Sequence, residues 1–550
     1  MATGAVALLV SAAKQSGVKY DACRIKHALM MSARYVPHLP AYKQGNGVID
    51  VAGAWEILKA MDAGHEPVTI TSRAPVRHAY SDMLAEPNVG VGLFEQDGWN
   101  VGDRGDRGIT FTRTSGPAGD MRFSIGFTGD SGTYTAPPSV TLPLNRPVPV
   151  TISVAPKTRG VHSAILTLDN AAVPGHAYRM LTTIVAPDVL DASNHYTVVT
   201  KTTVPRPEMR SFFYRVPAGV AALEVQLEVQ KRGVQLAMMR PDTRTASPQR
   251  VVATSGRGGG GGGGGGPTNL PKETYVLTDP MPGIWEIRLT DTEDTRSFDW
   301  EQAEKGKPVP PTPATLTVQA LGVSATGEIA GGVVLASSNG APGQSAGISL
   351  TNGFAEFSGG ATSYALGASR RVQATIRAHE QQVYEIDVPA GSSSLVARAA
   401  KPRDASADLD VYVYDCTGKE CRAAGSAADP LGSEGARDET VMVQNPPAGK
   451  WKVVVDAASA PSGGTTYDYL DVVFNQSFGM VAANDQPVKR AAGAQWSVRT
   501  NVWAAALPEG RSPYAALLLE GRSSASERFM IGLLELSPEG HVAANGGAPR

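Results

Sequence analysis

Two segments of the chain repeat each other, and this repeat constrains the fold more than any other feature. The motif V-P-A-G occurs at residues 216–219 and again at 388–391, each time at the end of an alternating apolar pattern. Further along, a segment that starts with Gly-x-Trp contains Trp285 in the first case and Trp451 in the second. Alternation with a period of two is typical of strands with one buried face. The repeat predicts two copies of one antiparallel β-sandwich, at residues 189–325 and 371–476.

The two copies differ in length between these landmarks. The offset is 172 residues at the first motif (391 − 219) and 166 at the second (449 − 283), so the first copy is six residues longer. Nine glycines at 258–266 supply this excess as a flexible loop, 256–266, to which we assign no chemistry. The two tryptophans are predicted to be core residues, with stacking on a ligand as the alternative.

The remaining segments are also predicted to be rich in strands. Alternating stretches around Phe111, Phe123 and Ile152 favour an Ig- or fibronectin-like sandwich at residues 66–188. We interpret residues 326–370 as a Gly/Ser-rich linker with short strands, and 477–550 as a β-rich tail of uncertain attachment. The 60 glycines and 39 prolines agree with many short strands joined by turns. The fold class is therefore mostly β, with tandem antiparallel β-sandwiches.

Residues 1–62 have a different, helical pattern. Residues 3–14 are apolar almost all the way round, and Asp21 and Asp50 are candidate N-caps of two further helices. A helix of the first kind needs cover on every side, because each large apolar side chain left in water forfeits roughly 1.5–3 kcal/mol. We interpret this segment as the C-terminal remnant of an α/β domain.

The order of these helices resembles the end of the subtilisin-like (S8-type) serine peptidase domain. Gly45, Gly47, Asp50 and Ala54 match the G-x-G-x-I-D-x-x-x-A pattern that closes that domain. Residues 2–9 resemble the residues that follow the catalytic serine in the family's G-T-S-M-A-x-P motif. The resemblance implies that the catalytic Asp, His and Ser precede Met1. No catalytic or cofactor-binding residue is therefore assigned, and we expect the chain to be inactive by itself.

Later segments carry two further resemblances. The run to about residue 290 is similar to the region after the catalytic domain in tripeptidyl-peptidase II. The second copy resembles the bacterial pre-peptidase C-terminal jelly roll through D-L-D-V-Y-V-Y-D and P-A-G-K-W-K-V-V-V. These resemblances imply an extracellular or periplasmic parent protein, although residues 4–13 lack the basic start of a signal peptide and none is predicted.

Three local features imitate functional sites. Residues 129–132, G-D-S-G, match a motif around catalytic serines, but no base is arranged near them in sequence, and a turn explains them better. His162 in a strand pattern is predicted to be solvent-facing or hydrogen-bonded rather than a ligand. Asp408, Asp410 and Asp415 are weighed as a calcium site and as a solvated acidic edge, and we favour the edge, so no metal ligand is assigned.

The chain has three cysteines. Cys416 and Cys421 flank a tight turn, and a disulfide is favoured over two free thiols or a partial metal site. A disulfide there would indicate an oxidising compartment. Cys23 lies in a helical pattern and is predicted to be a small buried residue.

The charge balance excludes some partners. The formal net charge is −2 with no run of Lys or Arg, which argues against nucleic acid, and no apolar stretch is long enough for a membrane span. We expect the non-catalytic C-terminal part of a secreted serine peptidase, with the missing peptidase domain, in cis or in trans, as partner. One alternative is an independent extracellular adhesion protein that binds protein or polysaccharide surfaces. Another is an active peptidase whose start was wrongly assigned to Met1.

Overall fold

A computed structural model describes the chain except for residues 1, 38, 66, 82–83, 206–208, 230–233, 247, 253–271, 292–309, 327–343, 405–406, 428–438, 523–527 and 537–550. The prediction of a mostly β chain that begins with helices is confirmed. The chain divides into two compact units, Met1–Asp188 and Val189–Arg550. The predicted glycine loop 256–266 lies outside the described residues.

The first unit opens with helices that pack on one another. Asp21 accepts a hydrogen bond from the backbone N–H of Arg24 at 2.8 Å, and Asp50 accepts one from Gly53 at 2.9 Å, so both predicted N-caps are present. Leu9, Ile25 and Ala54 meet in the small core between the helices. The helices are α1 (Ala2–Ser16), α2 (Ala22–Ser32), α3 (Ala41–Gln44) and α4 (Val51–Asp62). Cys23 is exposed, so its predicted burial is wrong: it lies on the face of α2 opposite Ile25.

The rest of the first unit is an Ig-like sandwich. Its strands are β1 (Ile70–Arg77), β2 (Val89–Gly90), β3 (Leu93–Glu95), β4 (Gly105–Arg113), β5 (Met121–Thr128), β6 (Tyr134–Thr135), β7 (Ser139–Leu142), β8 (Pro147–Val154), β9 (Gly160–Asp169) and β10 (Tyr178–Ala186). The first half of β1 pairs antiparallel with β4, and its second half pairs parallel with β3, so β1 connects the two layers. Phe111, Phe123 and Leu166 fill the core between them.

The second unit contains the predicted repeat. The strands of the first copy are β11 (Asp188–Val189), β12 (Thr197–Val204), β13 (Met209–Val216), β14 (Ala222–Val229), β15 (Val234–Met239), β16 (Gln249–Val252), β17 (Lys272–Thr278), β18 (Gly283–Asp291) and β19 (Thr312–Leu321). Those of the second copy are β24 (Gly367–Ile376), β25 (Gln381–Val388), β26 (Ser392–Ala400), β27 (Asp408–Asp415), β28 (Arg422–Ala427), β29 (Glu439–Gln444), β30 (Gly449–Ser459) and β31 (Thr465–Asn475).

The two copies have the same strand order. The first copy pairs its strands in the orders β12-β19-β14-β17 and β13-β18-β15. The second copy repeats these orders as β24-β31-β26-β29 and β25-β30-β27. Trp285 and Trp451 are each 1% exposed, and each indole N–H donates to the carbonyl four residues earlier. Both tryptophans are therefore core residues, as predicted, and are too deeply buried to stack on a ligand.

A third sandwich surrounds the second copy in sequence, and we call it the host sandwich. Its strands are β20 (Val323–Thr326), β21 (Gln344–Asn352), β22 (Phe357–Thr362), β23 (Tyr364–Ala365), β32 (Gly479–Asn484), β33 (Val488–Arg490), β34 (Gln495–Ala504), β35 (Ser512–Arg522) and β36 (Arg528–Leu536). β21 pairs with β34 over eight residues, and β22 pairs with β35. The interpretation of 326–370 as a linker is therefore wrong for residues 344–365, which form one sandwich with strands of the predicted tail.

Candidate functional site: the N-terminal helices

The residues that match the subtilisin-like pattern form the connection between α2 and α4. Gly45 and Gly47 have φ of +57° and +111°, values that glycine adopts readily. A Cβ atom at Gly47 would overlap the carbonyl of Arg34, whose backbone pairs with that of Val48. Glycine is therefore required at position 47 on two grounds, backbone conformation and close approach.

Asp50 and Ala54 hold α4 in place. The Asp50 carboxylate caps the helix, and its carbonyl accepts a hydrogen bond from Ser32 Oγ at 3.2 Å. Ala54 is 0% exposed in the contact between the helices. The motif residues thus have structural roles in the connection between α2 and α4.

Helix α1 is covered on one side only. Ala5, Leu9 and Ala13 are buried, whereas Leu8 is 62% exposed and Val6 is 36% exposed. The sequence predicts burial on every side, and in the described part of the chain that burial is incomplete. The exposed apolar side of α1, defined by Gly4, Ala7 and Leu8, is the candidate functional surface of this unit, and Val6 lies at the other margin of the buried face.

The helices are attached firmly to the Ig-like sandwich through Arg179 of β10. One nitrogen of its guanidinium, Nη1, donates to the carbonyls of Met30 at 3.1 Å, Ala33 at 2.9 Å and Asn46 at 3.0 Å. The carbonyls of Met30 and Ala33 lie at the end of α2, and that of Asn46 lies just after α3, where helical partners run out. Sequence reasoning missed Arg179, because a single arginine in an alternating strand carries no signal of its own.

Close packing strengthens this attachment. A Cβ atom at Gly175, whose φ is +70°, would lie 2.6 Å from Ile57 Cδ1 and 3.3 Å from Met31 Cβ. His27 is half-buried beside the same loop; burial lowers its pKa, and a hydrogen bond with the backbone of Pro174 opposes that shift. The helices and the sandwich therefore share an interface that leaves little space.

The G-D-S-G segment is a turn. Asp130 Oδ1 accepts a hydrogen bond from the backbone N–H of Thr133 at 2.9 Å, and Gly129 and Gly132 have positive φ. Ser131 is exposed. His162 is buried, with Nδ1 2.7 Å from Thr133 Oγ1 and Nε2 2.7 Å from the carbonyl of Thr158. Both nitrogens of His162 are thus engaged, so it is not available as a base for Ser131.

The acidic strand of the second copy differs from expectation. β27 lies between β30 and β28, so it is not an edge strand, and Asp410 is only 7% exposed. The interpretation as a solvated acidic edge is therefore wrong. Asp410 accepts a hydrogen bond from Tyr412 Oη at 3.1 Å, and burial together with the Asp410 charge raises the pKa of Tyr412 to about 12. Among the described residues, no group of three or more His, Cys, Asp or Glu side chains could hold a metal ion.

Cys416 and Cys421 form a disulfide at the end of β27. Asp415 organises the same turn, since its Oδ1 accepts from the backbone N–H of Thr417 at 2.9 Å and from its hydroxyl at 2.6 Å. These hydrogen bonds lower the pKa of Asp415. In the described part of the chain, no helix is long and apolar enough to cross a membrane.

Comparison with known proteins places these features in context. Residues 71–186 match the Ig-like domain in actinomycete serine proteases. Pyrolysin from Pyrococcus furiosus is 25% identical over 500 residues, which make up 86% of this chain and 31% of pyrolysin. The chain thus spans about a third of the length of that relative.

Two solved structures are also similar. Tripeptidyl peptidase 2 aligns with 96% of this chain and 45% of its own, at 11% identity and a TM-score of 0.46. The secreted serine protease VesC from Vibrio cholerae aligns with 43% of this chain and 52% of its own, at 13% identity and a TM-score of 0.23. It is the sequence similarities, to pyrolysin over most of the chain and to an Ig-like domain of serine proteases, that indicate a subtilisin-like serine peptidase context for this protein.

Proposed function

We propose that this chain is the non-catalytic C-terminal part of a secreted subtilisin-like serine peptidase. In this role its sandwiches stabilise the catalytic domain and position it relative to a substrate or a surface. The observation that carries the proposal is the exposed apolar side of α1 on helices that are themselves fixed to an Ig-like sandwich.

Burial of the exposed side of α1 would stabilise the protein. Leu8 is 62% exposed, and complete burial of a leucine side chain stabilises by roughly 1.5–3 kcal/mol. A β-sheet is a usual partner for the apolar side of a helix in an α/β domain. Because Arg179 ties the helices to the Ig-like sandwich, a sheet placed on α1 would be held to that sandwich as well.

Two other observations support the proposal. Residues 71–186 match an Ig-like domain whose described setting is serine proteases. The disulfide Cys416–Cys421 fits an oxidising, extracytoplasmic compartment, where such bonds persist.

The first test is the mass and the N-terminal peptide of the native protein from its own host. We expect a longer protein with a G-T-S-M-A-x-P-like sequence close before Ala2. A native protein that begins at Met1 would contradict the proposal. The isolated chain should also remain unlabelled by a fluorophosphonate probe, and stoichiometric labelling of a serine in it would count equally against the non-catalytic role.

The second test uses the neighbouring residues Leu8 and Leu9, of which Leu9 is 1% exposed. In the isolated chain, Leu9→Ala should destabilise by about 2–5 kcal/mol, whereas Leu8→Ala should change stability by no more than about 0.5 kcal/mol. In the native longer protein, Leu8→Ala should become as costly as Leu9→Ala. If Leu8→Ala is neutral in both proteins, nothing covers α1.

A further inference from the structure

One sheet of the host sandwich presents an unusual outer face. Its strands are ordered β20-β21-β34-β32-β23. Along β34 exposed and buried residues alternate, with Val498, Thr500 and Val502 facing the core. The residues on the other side, which we call the Trp503 face, are Gln495, Ser497, Arg499, Asn501 and Trp503 of β34, with Gly347 and Ser349 of β21 and Asn484 of β32.

The chemistry of this face is neutral and polar around one aromatic ring. Trp503 is 42% exposed and lies opposite Met480, while Arg499 lies between Gly347 and Asn484. Arg499 is the only charged side chain among the named residues of the face. A Cβ atom at Gly347 would have no neighbour within 4 Å, so the surface is open there.

The outer face of the second copy shows the contrast. Along β25 and β30, Asp387 pairs with Lys450 at 2.7 Å and Glu385 pairs with Lys452 at 3.5 Å. Interleaved charges of this kind are an ordinary solvated surface. The Trp503 face instead combines amide and hydroxyl side chains with an exposed indole.

We propose that the Trp503 face binds a neutral, extended polysaccharide. The indole offers a flat apolar surface for the C–H side of a sugar ring, and the amides and the guanidinium can hydrogen-bond sugar hydroxyls. From Gln495 to Trp503 the exposed side chains extend along about 27 Å, at about 3.4 Å per residue, which suits a polymer better than a single sugar.

The same features exclude the other partners. An anionic membrane or a nucleic acid is recognised through several cationic side chains, and the face has Arg499 alone. A stable protein interface needs an apolar centre of several large side chains, and among the described residues of this face Trp503 is joined by the half-buried Met480 and the small Ala482. Neutral polyhydroxylated ligands remain as the class that matches the charge of the surface.

The test is retention of the whole chain on insoluble cellulose and chitin, and on immobilised xylan and mannan. We expect saturable binding to at least one of these polymers, little affected by salt because a neutral ligand releases no counterions. Heparin beads and phosphatidylserine vesicles should bind no more than plain matrix. The result does not depend on the peptidase context, because the face would bind sugar in either case.

Two variants locate the binding site. Trp503→Ala should weaken binding roughly tenfold, the scale of an aromatic anchor. Gly347→Phe should block the face without backbone strain, because the glycine is in an ordinary strand conformation. The matched control is Val199→Ala, at a residue that is 57% exposed on β12 of the first copy, and it should bind like the wild type.

Three outcomes would overturn the proposal. The first is the absence of binding to every polymer in the set. The second is wild-type binding by both folded variants, which would move the site elsewhere. The third is binding to the anionic vesicles that is lost on Arg499→Gln, which would assign the face to lipid.

Discussion

The two copies of the jelly roll share their strand order but differ in the chemistry of a buried group of residues. Val225 in the first copy and Ala397 in the second are equivalent by the V-P-A-G offset of 172 residues. Their partners on the next strand are Val318 and Asp471. One strand further, Val198 lies opposite Val318, and Arg370 lies opposite Asp471. An apolar pair in one copy is thus an ion pair in the other.

The position of the second copy explains the difference. Asp471 is 0% exposed, and its oxygens meet Arg370 Nε at 3.0 Å and Arg511 Nη1 at 2.6 Å. Arg511 immediately precedes β35, the host strand that pairs with β24. A buried ion pair is seldom more stabilising than apolar residues, but it can specify an arrangement. The buried charges therefore lie where the inserted second copy contacts the host sandwich, next to the pairing of β24 with β35 whose register they can specify.

The largest expected effect tests what the copies have in common. Trp285→Ala and Trp451→Ala should each destabilise their own copy by about 3–5 kcal/mol, because each removes a fully buried indole. Hydrogen exchange resolved by segment measures each copy separately. If one of the two copies loses less than about 1 kcal/mol of stability, its tryptophan does not stabilise the core as the tryptophan of the other copy does.

The second effect tests the difference itself. Asp471→Val should cost about 3–5 kcal/mol, because it leaves Arg370 and Arg511 without their buried partner. The double change of Arg370→Val with Asp471→Val imitates the first copy and should recover part of this loss. Denaturant unfolding of the wild type, the single variant and the double variant measures how much of the lost stability is recovered. If Asp471→Val alone leaves stability unchanged, the ion pair does not contribute to the stability of the second copy.

The third effect concerns the disulfide Cys416–Cys421 of the second copy. Cys416→Ser should destabilise that copy by about 2 kcal/mol, the chain-entropy estimate for so short a loop. The first copy should not respond, and mild reduction of the wild type should have the same effect as the substitution. An equal response of both copies would mean that they unfold as one.

The smallest expected effect is at a position where the first copy has a charged residue and the second copy has an apolar one. Glu224 of the first copy is 5% exposed, and the offset of 172 residues places Val396 at the equivalent position. Burial raises the pKa of Glu224, although Gln226 and Lys272 act to lower it. Glu224→Val should therefore stabilise at pH 7 by about 1 kcal/mol.

The pH dependence of this variant has a definite sign. A raised pKa in the folded state means that ionisation at neutral pH costs stability, and that the cost disappears once both states are protonated. The gain from Glu224→Val should therefore fall as pH drops from neutral through the raised pKa of Glu224, and the fall should be complete once pH is below the ordinary carboxyl value of 4.5. A gain that is the same at pH 3 and pH 7 would assign it to packing instead of charge.

Local patterns explain why much of the fold could be predicted. Period-two alternation and the V-P-A-G turns locate the two copies, and Asp21 and Asp50 locate the helix starts. The host sandwich could not be found in this way, because β21 and β34 pair over a long separation and neither strand marks its partner. Arg179 and Asp410 were missed or misjudged for a related reason, since burial of a single charged residue depends on tertiary neighbours.

The insertion of the second copy affects how the chain can fold while it is being synthesised. β21 ends at Asn352 and waits for β34, which starts at Gln495, about 140 residues later. At roughly 5–20 residues per second, the ribosome takes about 7–30 s to supply that partner. During this interval the second copy can close by itself, while β21 presents unpaired backbone groups to other nascent chains. The order of synthesis therefore makes the host sandwich the last domain to close and the one most exposed to mispairing between chains.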